Sequence, residues 1–125
     1  MRTLLACVLL LGANVAAAEV SVVDNDKTMT IDCAKDPTVS LIGNNLNVTL
    51  VGPCKLVTVT GNSEQVKGSA EKFMIAGNKN TVTADSTDEI FVGGNKNSVA
   101  WKKAGLKPAP KITNTGKDNK VTQSK

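Results

Sequence analysis

The chain has 125 residues, with fifteen Lys or Arg against eleven Asp or Glu and no histidine or tyrosine. Its net charge of +4 is spread along the chain, and Phe73, Phe91 and Trp101 are the only aromatic residues. These features argue against a nucleic-acid patch or stacking platform, and the missing histidine rules out a Ser or Cys triad of the usual kind.

The first element is "MRTLLACVLLLGANVAAAEV". It carries a positive charge at Arg2, an apolar run from Leu4 to Leu11 and small residues at Ala16, Ala17 and Ala18. That order predicts an export signal over residues 1–18, cut after Ala18. The apolar run is shorter than the roughly 20 residues a membrane-crossing helix needs. The domain begins at Glu19, runs to Lys125, has no transmembrane segment, and is expected to be secreted or periplasmic.

From Glu19 onward one unit recurs: apolar-x-apolar-x-Gly-Asn-x-x-x-Val-x. It reads "VSLIGNNLNVT" from Val39, "VTVTGNSEQVK" from Val57, "FMIAGNKNTVT" from Phe73, "IFVGGNKNSVA" from Ile90 and "ITNTGKDNKVT" from Ile112. In a degenerate first copy, "VSVVDNDKTMT" from Val20, Asp24 replaces the glycine. Anchors at 24, 43, 61, 77, 94 and 116 give spacings of 19, 18, 16, 17 and 22. Apolar residues two apart and rich in β-branched types, four and two before the anchors with only Asn114 breaking the pattern, predict a strand with one face inward. The Gly-Asn pair is read as the turn, because both residues tolerate positive φ. Five after the anchor, Val48, Val66, Val82, Val99 and Val121 return to the interior on a second strand.

A unit of this length cannot bury its own core, so copies must stack as parallel coils roughly 4.8 Å apart. The expected fold is all-β: a small right-handed parallel β-helix, or β-solenoid, of about six coils over residues 19–125. Stacking would align Asn25, Asn44, Asn62, Asn78 and Asn95 as a corner ladder of amides. Cutting the export signal removes Cys7; the two cysteines that remain, Cys33 and Cys54, fall in the return segments of adjacent coils, and an even count in an exported chain predicts a disulfide between them. Two thiolates without histidine do not make a zinc site. The longest spacing inserts "KKAGLKPAP" from Lys102 to Pro110. Trp101 precedes this loop in an inward register, as a lid over a coil interior.

The stretches "GNNLNVTLVGPCKLVTVTGN", "GNKNTVTADS", "GNKNSVAWKKAG" and "PKITNTGKDNKV" resemble the exported bacterial proteins grouped as domain of unknown function 3060 (DUF3060). The resemblance spans about Ile31 to Val121. It implies a repeat fold and a secreted or envelope location, and brings no catalytic or ligand residues. Glu64-Gln65 and Lys117 depart from its asparagine-rich turns.

Chemistry is sparse. Asp85, Asp88 and Glu89 share one return segment and Asp32 and Asp36 another, and these are the carboxylates that could pair for polysaccharide cleavage. The calcium-binding roll repeat is not matched, since Lys96 and Ser98 stand where glycine and aspartate are needed. Threonines four and six after the anchors form a flat outer face of the kind some solenoids turn to ice, interrupted by Lys67 and Lys120. The expectation is a non-enzymatic binding or structural module of the bacterial envelope, without metal or cofactor. Its partner would be an envelope glycan, another protein or a second copy. The alternatives are a small polysaccharide-active enzyme and an ice-binding protein.

Overall fold

The structure, a computed structural model, describes residues 19–124; the predicted export signal lies outside them. Ten strands follow one another: β1 (Glu19–Asn25), β2 (Thr28–Asp32), β3 (Thr38–Asn44), β4 (Asn47–Asn62), β5 (Gln65–Asn78), β6 (Thr81–Ser86), β7 (Glu89–Val92), β8 (Ser98–Lys103), β9 (Lys111–Asn114) and β10 (Lys120–Gln123). Every pairing is parallel, and each joins a segment to its counterpart one repeat away. The result is a β-solenoid of about six coils, with β1 and β2 at one open end and β9 and β10 at the other. Five steps of the strand spacing make the stack about 24 Å tall.

The registers follow the repeat residue for residue. Met29, Val48, Val66, Val82, Val99 and Val121 form one continuous file. Val48, Val66, Val82 and Val99 are fully enclosed, whereas Val121, in the last coil, is only partly buried. A second file, Val39, Val57, Phe73 and Ile90, is equally enclosed. Each side chain here is sheltered by equivalent residues above and below, burial that one coil alone could not supply.

Along the file that holds Trp101, two small residues lie between two large ones. Gly68 lies over Leu50, whose Cβ would be 2.5 Å from any Cβ at residue 68, and Ala84 separates Gly68 from Trp101. Trp101 packs half-buried against the core, in the inward register expected of it. β4 and β5 run unbroken around a corner where two short strands per coil are predicted. β4 does so by bending at Gly52 (φ 81°), with a register shift between Thr49 and Pro53.

The corner geometry corrects one expectation. Positive φ falls on the anchor glycines Gly43, Gly61, Gly77 and Gly94 and, beyond the asparagine, on Asp26, Asn45, Ser63, Lys79, Lys96 and Asp118, the last six with φ of 57–61°. The corner asparagines are not among the positive-φ residues. Glycine is required at the anchor for a second reason. A Cβ at Gly43, Gly61, Gly77, Gly94 or Gly116 would lie 1.7–1.9 Å from the carbonyl oxygen of the anchor one coil upstream. The coils approach each other most closely here, and only a residue without a side chain fits.

Candidate functional site: the corner ladders and the groove under the inserted loop

The corner carries two columns of polar side chains. On the outside, Nδ2 of each asparagine donates to Oδ1 of the one before it: Asn44 to Asn25 (3.1 Å), Asn62 to Asn44 (2.9 Å), Asn78 to Asn62 (3.1 Å) and Asn95 to Asn78 (3.3 Å). All five are exposed. Their column ends at Lys117, the residue paired with Asn95.

The inner column was not singled out in the sequence. Three residues after the anchors stand Leu46, Glu64, Asn80, Asn97 and Asn119, of which the first four are fully enclosed. Asn80 Oδ1 accepts the Glu64 backbone N–H (3.0 Å), Asn97 Oδ1 that of Asn80 (2.9 Å), and Asn119 Oδ1 that of Asn97 (2.9 Å). The amide groups donate to the upstream anchor carbonyls, Asn80 to Gly61 (3.1 Å), Asn97 to Gly77 (3.1 Å) and Asn119 to Gly94 (3.1 Å). Asn80 and Asn97 also reach the carbonyls of Ala76 and Gly93. The column therefore satisfies the Glu64, Asn80 and Asn97 backbone N–H groups and gives the upstream anchor carbonyls of Gly77 and Gly94 a second donor.

Glu64 stands at the head of this column, and neither of its carboxylate oxygens has a hydrogen-bond partner. Burial pushes its carboxyl up from 4.5 to about 7, because a charge there is removed from water with no cation or donor to replace it. A signal for the column was present in the period-two alternation, which puts the third and fifth residues after the anchor on the same side.

The inserted loop makes the one strongly irregular surface among the described residues. Asp88 Oδ1 accepts three successive backbone N–H groups, from Gly105 (3.0 Å), Leu106 (2.7 Å) and Lys107 (3.2 Å). These bonds, with the nearby Lys107 charge, hold the Asp88 carboxyl below the usual aspartate range. Fastened in this way, the loop overhangs the return segments of the third and fourth coils and encloses a shallow groove of about 300 Å³. Pro53, Ala70 and Leu106 give it an apolar lining, and a continuation of the groove adds Lys55, Leu56 and Lys107. Leu106 is 92% exposed at its lip.

The structure gives the suspected acidic cluster separate partners. Asp85 lies 3.9 Å from Lys102, Glu89 lies 3.6 Å from Lys72, and Asp88 holds the loop. In the other suspected pair, Asp32 Oδ1 accepts the Ala34 backbone N–H. Cys33 and Cys54 form a disulfide joining the first two coils, with Cα atoms 5.0 Å apart. No group of three or more potential metal ligands occurs among the described residues. The outer face places Thr28 beside Asn47, Thr30 beside Thr49, and Lys67 between Thr49 and Thr83. A regular threonine lattice is not formed there.

No curated protein and no solved structure matches the chain. Residues 65–118, from the start of β5 to the last corner, match the family model described as Protein of unknown function (DUF3060), the family that the Gly-Asn units resemble.

Proposed function

We propose that the protein is an exported, non-enzymatic β-solenoid that serves as a binding module of the bacterial envelope, with the groove under the inserted loop as its contact surface. The carrying observation is the loop itself. It breaks a regular repeat, and a dedicated aspartate fastens it back over the coils. A loop held on a rigid scaffold is where proteins commonly place recognition. The groove has an apolar floor, a mixed rim of Lys55, Lys72, Glu71 and Glu89, and no aromatic ring on which a sugar could stack. This chemistry favours a polypeptide partner over a glycan. The acids best placed for polysaccharide cleavage are each engaged in structural contacts, which weighs against the enzymatic reading.

The test is retention of envelope proteins on the immobilised protein, compared with the same protein carrying Leu106→Asp. A defined partner retained by the parent and lost with the substitution is the expected result. Equal retention by both, or no retained partner, would refute the groove as the contact surface.

A further inference from the structure

The two ends of the stack differ in a way that bears on association between copies. Continuing the observed register by one step would seat the last coil of one copy on the first coil of a second. Along one file, Lys72 lies beside Glu89, an ion pair at 3.6 Å, and Glu89 beside Lys111. The next residue in that file would be Glu19 of the second copy. Ile112 would meet Val20, and Val121 would meet Met29, which extends both apolar files. Ile112 is 43% exposed, and Val20, Met29 and Val121 are only partly covered. The first coil carries Glu19, Asp24, Asp26, Asp32 and Asp36 against Lys27 and Lys35. The last carries Lys111, Lys117 and Lys120 against Asp118. Their charges are complementary, and the exposed edges are those that invite strand addition.

Two positions oppose the match, Asp24 at the anchor and Asp26, which would face Asp118 of the other copy. At all five internal junctions the downstream anchor is glycine, because a Cβ would fall 1.7–1.9 Å from the upstream anchor's carbonyl oxygen. The remaining anchor, the first in the chain and without a coil upstream among the described residues, is Asp24. Its carboxylate also replaces the absent neighbour. In later coils the N–H after the anchor donates to the upstream anchor carbonyl, Asn95 to Gly77 (3.0 Å) and Lys117 to Gly94 (3.0 Å). In the first coil the Asn25 N–H donates instead to Asp24 Oδ1 at 2.9 Å.

We propose that Asp24 is a built-in stop. It caps the first corner and closes the N-terminal face against the last coil of a second copy, a partner that this face otherwise fits. The block is steric and resides in the Cβ, with the carboxylate as its cap.

The test uses protein expressed from the full sequence and purified with the disulfide intact. A second obstacle, Asp118 against Asp26 of the next copy, is first removed with Asp26→Ser, since Ser63 holds the same corner position at φ 58°. Sedimentation velocity should show a single monomer for the parent, for Asp26→Ser alone and for Asp24→Ala with Asp26→Ser. Asp24→Gly with Asp26→Ser should shift to dimers and longer species. A zero-length carbodiimide cross-link should then join Lys111 to Glu19 of the second copy. Circular dichroism of each variant establishes that the fold is retained. The proposal is overturned if the glycine variant folds and stays monomeric, if the alanine variant associates as well as the glycine one, or if the cross-link joins other residues.

Discussion

Replacing Glu64 by glutamine should remove the loss of stability that the parent suffers as pH rises from 4.5 to about 7. The Glu64 carboxyl is fully enclosed, has no partner for either oxygen, and is shifted from 4.5 to about 7. An acid whose folded pKa is raised binds its proton more tightly in the native state, so its contribution is fully present below pH 4.5. It is lost as pH rises to about 7, and the loss is constant above that. A shift of 7 − 4.5 = 2.5 units at 1.36 kcal/mol per unit corresponds to about 3 kcal/mol. Protonated Glu64 offers one acceptor and one O–H donor, so it resembles the amides below it in the column. Glutamine keeps both capacities without titrating. Urea unfolding of parent and Glu64→Gln at pH 4, 6 and 8, with the disulfide intact, isolates this group because other acids cancel in the difference. The two proteins should agree within about 1 kcal/mol at pH 4, and the variant should be more stable by about 3 kcal/mol at pH 8. A pH-independent difference, or a variant less stable at pH 8, would refute the account of Glu64 as a buried neutral acid.

Further predictions rest on other parts of the molecule. Asn97→Ala strands the Asn80 N–H and the Gly93 carbonyl inside the corner and should cost about 3–5 kcal/mol, whereas Asn78→Ala in the exposed ladder should cost under about 1 kcal/mol; chemical denaturation compares them. Asp88→Ala should leave the core intact but speed hydrogen exchange at the Gly105, Leu106 and Lys107 amides. Because the Asp88 carboxyl titrates below the usual range, the same loosening should appear in the parent only at acid pH. Replacing Cys33 and Cys54 by serine should lower stability by about 3 kcal/mol, measured as a shift in the urea midpoint.

The repeat was legible because each coil repeats its inward residues at nearly fixed spacing. The valine files, the asparagine ladder and the cysteine pairing all depend on register alone, which aligned anchors reveal. The inner polar column was hidden for a physical reason. Only three of its members are asparagine, Leu46 and Glu64 fill other layers, and an amide in a core contradicts the rule that interiors are apolar. The left-handed corner residue escaped notice because Asp26, Asn45, Ser63, Lys79, Lys96 and Asp118 share a backbone conformation but no single side-chain chemistry. Asp88 could be suspected as a carboxylate but not as a clasp, since its three partners are backbone groups nearly twenty residues away.

The one covalent cross-link among the described residues gives the molecule a mechanical direction. It rivets the first coil to the second, while the sixth is held only by short strands and half-covered apolar residues. Tension on the two termini should therefore peel strands from both open ends but cannot extend the loop from Cys33 to Cys54, which the cross-link keeps closed. A protein tethered by its carboxyl terminus would yield gradually under load, whereas one held through that closed loop would keep its anchorage after the rest had unwound.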